Sequence, residues 1–496
     1  MKTFSINTLG CKVNQYESQQ IRELLEKLGL QQAESPGKSD LLVINTCCVT
    51  HTASAKSRQY IRRAGKVNPD AAVVVCGCLP IVQIGELDFT ANNIHLIRDR
   101  ADLGATLAHA TDRLAAPAVS QSAQSCSVNT IKSKIDRKSK KEIGDWRLPN
   151  ADFSIANRKS QIPIRLPGLS SFQGQTRAFI KVQDGCDGYC TYCIVPKARP
   201  FVHSTPAARV LAEAQALVKA GHREIVVSGI FLGAYGQDTV RRQNWPGRRN
   251  DNLADLLDKM ANLPGMGRIR LSSLEPADVT PGLLDTLCKH PNIMPHLHLP
   301  LQSGSDKILR KMSRQYRVAQ FKETIDLLKS RLDRPAITTD IIVGFPGESQ
   351  ADFDQTMNLA RDVGFAKMHI FSFSPRKGTA AAEMEGAVDK KVIRERSEIL
   401  RALDMELGLR YREQFVGDTA QVLLETDAGT GKLPIADCRL PIETSNLRSL
   451  DDRPHGRSER YFMVYLRNSP DKVKDNPMIE VKLLENHRDG MVGTTE

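Results

Sequence analysis

Over the first hundred residues, apolar runs of strand length alternate with stretches whose apolar positions recur every three to four residues. Residues 4–9 read as a strand, 15–28 as an amphipathic helix, 41–45 as a strand and 52–64 as a helix. Residues 72–75 and 94–97 read as two further strands. This alternation predicts a parallel sheet, because consecutive parallel strands need a crossover that is usually helical. Periodicity fades over 108–175, where Ser, Ala, Pro and Lys dominate and Lys132, Lys134, Arg137, Lys138, Lys140 and Lys141 form a basic run. That stretch reads as a flexible polar linker whose charges are solvated or touch RNA. From residue 176 the alternation returns in longer units, with candidate strands at 178–182, 224–228, 269–273, 296–301, 337–343 and 367–373. Six such units predict a partial (β/α)6 barrel with its active site at the carboxyl ends of the strands. Beyond residue 414 the helical period is lost. Residues 420–424, 461–465 and 478–484 look like strands between Gly, Asn, Asp and Pro turns. A small β-barrel fits this tail, and such barrels often bind single-stranded nucleic acid. The expected division is 1–107, 108–175, 176–413 and 414–496.

A chain of 496 residues is long enough for about three domains. With 41% hydrophobic and 25% charged residues, it has the balance of a globular protein. The start is strand-like rather than a signal peptide, and no apolar run is long enough to span a membrane. A cytoplasmic location is expected, where cysteines are more often ligands or catalysts than disulfides. The net charge of +12 makes a polyanion a reasonable partner without establishing one.

Cysteines carry the candidate chemistry. Cys186, Cys190 and Cys193 form a C-x3-C-x2-C loop directly after the first barrel strand. Three thiolates suit a four-iron cluster with one iron left open, whereas structural zinc usually takes four ligands from paired C-x2-4-C units. Cys11, the pair Cys47 and Cys48, and the pair Cys76 and Cys78 each fall just beyond a strand. The carboxyl ends of parallel strands converge, so these cysteines either meet as ligands or are small buried residues of sheet loops.

Together these segments resemble the radical-SAM methylthiotransferase family over nearly the whole chain. The resemblance rests on the run from Thr8 to Glu17, on Ile44 to Cys47, on Gly77-Cys78 and on the Cys186–Cys193 loop. It also rests on Ser272 to Pro276, His296 to Ser305, Asp340 to Glu348 and Ser374 to Thr379. It implies two 4Fe-4S clusters, one on Cys186, Cys190 and Cys193 and an auxiliary one on Cys11, Cys47 and Cys78, with S-adenosylmethionine (SAM) as co-substrate. Cys48 and Cys76 are bystanders on this reading. The wording of Gly10 to Gln15, Thr46 to Thr50 and Lys56 to Gln59 is similar to the branch acting on N6-threonylcarbamoyladenosine beside the tRNA anticodon. The other branches act on isopentenyladenosine in tRNA or on an aspartate of a ribosomal protein. Tyr192, Gly229, Ser273, Glu275 and Gln302 are the expected cofactor-binding residues, and Arg58, Arg62 and Arg63 the expected RNA contacts. The tail resembles the TRAM domain. Arg199 precedes Pro200 where the family usually has Gly. Expected partners are tRNA and an electron donor such as flavodoxin or ferredoxin, with no membrane and a monomeric state. A non-catalytic iron–sulfur redox protein is the rival reading, disfavoured because an electron carrier normally saturates its irons with four cysteines.

Overall fold

The computed structural model describes residues 2–82, 93–115, 166–244, 251–425, 453–468 and 477–495. Strands β1 (Thr3–Thr8), β2 (Gln31–Gln32), β3 (Leu41–Thr46), β4 (Ala72–Gly77) and β5 (Ile94–Leu96) form an all-parallel sheet in the order β2-β1-β3-β4-β5. Helices α1 (Lys12–Lys27), α2 (His51–Val67), α3 (Leu79–Val82) and α4 (Leu103–Ala115) connect and cover it. Ile21 and Leu25 of α1 and Leu107 of α4 pack with Val43 and Val74 on one face. Ile61 and Ala64 of α2 pack with Ile44 and Val75 on the other. Central strands buried on both faces explain why 41–46 is a near-continuous apolar run.

The linker expectation changes at both ends. Helix α4 runs past residue 107, because its alanine-rich sequence reads as low complexity yet is a good helix former. Residues 166–175 lead into the next domain, with Leu169 and Phe172 buried in its core. The basic run, Cys126 and Cys438 lie outside the described residues.

All six expected barrel strands are present. They are β6 (Ala178–Asp184), β8 (Glu224–Gly229), β9 (Arg268–Leu271), β10 (His296–His298), β11 (Ala336–Val343) and β12 (Lys367–Ser372), with a short antiparallel β7 (His203–Ser204) outside β6. Parallel pairing runs β6-β8-β9 and β10-β11-β12. Bridges from Ile269 to Ile293 and from Ser273 to His298 join the two halves. Helices α5 (Val195–Ala198), α6 (Ala207–Lys219), α7 (Asn252–Ala261), α8 (Pro281–Lys289), α9 (Asp306–Lys311), α10 (Val318–Arg331), α11 (Gln350–Val363) and α12 (Lys390–Glu413) follow in sequence. Most contribute apolar side chains to one large core against the strands' outer face.

The tail is a closed barrel of β13 (Thr419–Leu424), β14 (His455–Ser458), β15 (Met463–Leu466), β16 (Met478–His487) and β17 (Gly490–Thr494), in the order β13-β14-β15-β17-β16. This is consistent with a TRAM-like domain. Two of its strands, β14 and β17, carry little apolar signal and were not expected. Tyr461, expected in a strand, instead turns the β14–β15 hairpin with φ of 74° and projects under the amino ends of the larger barrel. There Arg177 donates to its hydroxyl at 3.2 Å, and the guanidinium groups of Arg270 and Arg457 lie 4.9 and 4.5 Å from its ring centre. The described part of the tail thus packs against the amino end of the larger barrel.

Candidate active site

The Cys186–Cys193 loop is fixed by its backbone and by one aspartate. Gly185 adopts φ of 82°, and a Cβ there would lie 1.8 Å from the carbonyl oxygen of Phe201, so only glycine fits this approach. Cys186 N donates to Arg199 O at 2.8 Å. The Asp187 carboxylate accepts from Thr239 Oγ1 at 2.7 Å and from Val240 N at 2.8 Å, and Arg241 stacks over Tyr189 at 3.9 Å. Arg314 donates to Cys190 Sγ at 3.1 Å and to Tyr192 Oη at 3.3 Å. Burial, reinforced by the neighbouring thiols, pushes Cys186 and Cys193 up to about 12. Cys186 and Cys193, which resist ionisation on their own, share one loop with Cys190, and such a triplet fits a metal centre, whose positive charge replaces thiol protons.

The second constellation is assembled by the sheet. Cys11 is the N-cap of α1, while Cys47 and Cys78 follow the last residues of β3 and β4. Gly77 takes φ of 90°, and its α-carbon lies so close to the neighbouring strand that a Cβ would sit 2.3 Å from Thr46 O. Asn14 donates to the carbonyls of Leu9 at 2.8 Å and Thr46 at 2.9 Å, tying two strand ends together. The Ser57 hydroxyl donates to Cys47 O at 3.0 Å and accepts from Cys47 N at 3.2 Å. Burial first, then the closeness of Cys11 and Cys78, pushes Cys47 up to about 12. Cys78 is instead lowered to about 5, chiefly by a hydrogen bond from the Cys48 thiol and then by Arg199 and Arg100. Arg100 lies 3.4 Å from Cys78 Sγ. Cys76 packs in the core under α1 and α4, whereas Cys78 packs in the core under α2.

Arg199 joins the two constellations. Its buried guanidinium donates to Glu17 at 2.8 Å, to Asp184 at 2.7 Å and to Asn14 Oδ1 at 3.2 Å, and Lys181 bonds the same two carboxylates. Its carbonyl holds Cys186, while its side chain holds the asparagine that organises the Cys11 turn. Arg376 adds a second tie, donating to Ser54 of α2 at 2.9 Å.

Residues 3–97 match a family described as Uncharacterized protein family UPF0004, and residues 180–360 match the Radical SAM superfamily. A Bacillus subtilis protein named threonylcarbamoyladenosine tRNA methylthiotransferase MtaB is 34% identical over 86% of this chain and 85% of its own length. The chain belongs to the radical-SAM tRNA methylthiotransferase family. A Thermotoga maritima relative of the same name is also 34% identical, over 86% of this chain and 87% of its own length. A Mycobacterium bovis relative named tRNA-2-methylthio-N(6)-dimethylallyladenosine synthase is 31% identical over 98% of this chain and 85% of its own. In fold the chain resembles the radical S-adenosylmethionine methyltransferase TsrM from Kitasatospora setae. The TM-score is 0.51 at 13% identity, covering 77% of this chain and 74% of that one. Radical-SAM membership implies one 4Fe-4S cluster and SAM, and the Cys186–Cys193 loop has the donor set for them. Among the described residues no helix is long and apolar enough to cross a membrane.

The other expected residues of this methylthiotransferase fall at the mouth of the barrel or on α2. Gly229 ends β8, and Ser273 bridges to His298. Gln302 is buried in a left-handed conformation with φ of 63°, the kind of strain that clusters at ligand sites. Tyr192 packs beside Ile308, Met312 and Phe345. Glu275 is buried, and both its oxygens are engaged at 2.5 Å, one by Arg242 and one by Arg314. Burial opposes its ionisation, but these two cations hold it below the usual carboxylate range. Arg62 and Arg63 are exposed on α2, whereas Arg58 is half-buried. Sequence reasoning missed Arg100, Arg242 and Arg314, which carry no spacing signal because each acts across the fold.

Proposed function

We propose that this methylthiotransferase installs a methylthio group at C2 of N6-threonylcarbamoyladenosine beside the tRNA anticodon. It would use two molecules of SAM and sulfur carried on an auxiliary cluster at Cys11, Cys47 and Cys78. The observation that carries the reading is the joining of two cysteine triplets through Arg199, one on a radical-SAM loop and one at three strand ends. When bound at Cys186, Cys190 and Cys193, the cluster supplies the electron for reductive cleavage of SAM. Arg314 steadies Cys190 and Tyr192 beside it, and Glu275 positions Arg314 rather than meeting the cofactor alone. Gly229, Ser273 and Gln302 line the mouth where SAM would lie. At the other triplet, Arg100 and the Cys48 thiol favour the ionised, ligand form of Cys78. Arg62 and Arg63, exposed on α2, would meet anticodon phosphates, which position RNA without reading its sequence.

The test is anaerobic reconstitution, followed by reaction with an anticodon stem-loop RNA carrying threonylcarbamoyladenosine and nucleoside mass analysis. One transferred methyl group from labelled SAM and one 5′-deoxyadenosine per product are expected. Reductive SAM cleavage with no methylthio product on that RNA, but product on the dimethylallyl RNA or a ribosomal-protein peptide, would overturn the assignment.

A further inference from the structure

Three side chains that the cysteine chemistry leaves unused meet inside the larger barrel. His298, Asp340 and His369 stand on the adjacent strands β10, β11 and β12, and a ligand atom from each lies within 4.8 Å of the other two. Their alternates Leu297, Leu299, Ile337, Ile341 and Met368 belong to the core under the helices, so the three occupy the lumen face. His298 bridges to Ser273, and Gln302 N donates to Asp340 O at 2.8 Å, so the cluster sits just below the mouth.

The group is ordered and reachable. His298 Nε2 is 3.3 Å from Asp340 Oδ2, and its Nδ1 is 3.0 Å from Thr338 Oγ1, so Thr338 helps set the ring's orientation. The side chains of His298 and Asp340 keep 14% and 27% of their surface, and His369 is exposed. Phe371, two residues along the same face of β12, is 44% exposed. Below the cluster the lumen stays polar, with His296 and the buried Arg270–Glu224 pair above Tyr461. A hydrocarbon entering this space would displace water from charged and polar groups and give them no partner. A substituent with amide N–H groups, a hydroxyl and a carboxylate would offer a partner to each.

We infer that His298, Asp340 and His369 read the polar N6 substituent of the target adenosine, with Phe371 against the base. The Asp340 carboxylate accepts from the carbamoyl N–H, and the two imidazoles face the threonyl carboxylate and hydroxyl. The inference rests on the proposed methylthiolation of tRNA adenosine and adds the side chains that choose between the two nucleosides named in the relatives.

The experiment compares kcat/KM for two anticodon stem-loop RNAs, one carrying threonylcarbamoyladenosine and one dimethylallyladenosine, using reconstituted full-length wild type, Asp340→Asn and His369→Leu. The ratio between the RNAs cancels general damage to folding or to cluster loading. Each substitution should lower the preference for the threonylcarbamoyl RNA on the order of 10- to 100-fold, as loss of one charge-assisted hydrogen bond implies. Where turnover on the second RNA is too slow, competition binding of the two RNAs supplies the ratio. An unchanged ratio in both variants, with wild type still modifying the threonylcarbamoyl RNA, overturns this inference alone. A wild type that modifies only the dimethylallyl RNA overturns it together with the reading beneath it. A third outcome also overturns it: one equivalent of zinc in wild type, absent from Asp340→Asn by elemental analysis, would make the cluster a metal site.

Discussion

The two cysteine constellations reach the same kind of donor set at different levels of structure. Cys186, Cys190 and Cys193 lie on one loop and are all half-buried, held by an aspartate and by one glycine contact. Cys11, Cys47 and Cys78 come from the ends of three strands, with Cys47 and Cys78 buried and Cys11 exposed. Among the described residues each set has an arginine against sulfur, Arg314 in the first and Arg100 in the second. The loop depends on local backbone geometry, while the second set depends on sheet register. A one-residue slip in β3 or β4 would turn its side chains to the opposite face. Cys76 and Cys78 belong to different cores although only two residues apart, because the strand ends between them at Gly77, whose φ of 90° turns the chain.

The largest effect should come from removing each triplet in turn. Changing Cys186, Cys190 and Cys193 together to Ala should abolish 5′-deoxyadenosine formation and halve the bound iron. Changing Cys11, Cys47 and Cys78 should halve the iron but leave SAM cleavage, because the radical loop belongs to a domain with its own core. Methylthio transfer should stop in both. Transfer that survives loss of the N-terminal triplet would break the comparison, since the second set would then have no part in moving sulfur.

A smaller and more selective effect is expected at Gly77. Gly77→Ala keeps every cysteine, but its Cβ would meet Thr46 O at 2.3 Å and Asn45 Oδ1 at 2.6 Å, beside Cys47. The strain should cost roughly 1–3 kcal/mol and lower iron occupancy at the N-terminal triplet alone. Iron analysis alongside a SAM-cleavage assay reads this directly. Equal iron loss from both sites would mean that the sheet and the loop are not separable.

The smallest effect concerns the floor that both regions share. Burial raises the Tyr461 hydroxyl, but Arg177, Arg457 and Lys12 outweigh it and bring it down to about 7. Lys12 directly follows Cys11, and Arg177 directly precedes β6, so one hydroxyl feels charges from both regions. With its folded pKa depressed, Tyr461 should add stability that is complete above the unfolded value near pH 10. That contribution should fade as pH drops through about 7. Ultraviolet titration should show one tyrosine ionising near neutrality, and Tyr461→Phe should remove that step. A titration with every tyrosine ionising near pH 10 would contradict the cationic floor.

Much of this arrangement is legible in the chain, and the limits have physical causes. The six barrel strands are apolar runs buried by helices, so their hydrophobicity marks them. The radical loop is local, so spacing alone reveals its donor set. For the N-terminal triplet, spacing leaves ligand and packing readings open. Only the topology of the sheet brings the strand ends together, and Asn14 and Arg199 then link them. Strands β14 and β17 hide because a small closed barrel needs few apolar positions in each strand. Tyr461 looks like a strand residue by composition, yet its left-handed turn carries it into another domain. Glu275 was expected to meet the cofactor, and its carboxylate is divided between Arg242 and Arg314, two residues distant in sequence that no periodicity marks.

The Arg199 junction has a consequence for anyone recombining these enzymes. A buried arginine shared by Glu17, Asn14 and Asp184 cannot lose one side without stranding charge in the interior, a loss on the order of 3–5 kcal/mol. The cut between UPF0004 and radical-SAM segments, natural as it looks on a linear map, therefore passes through a single electrostatic unit. A chimera exchanging the first hundred residues between branches should fold as one body only if the arginine and all three of its acceptors travel together.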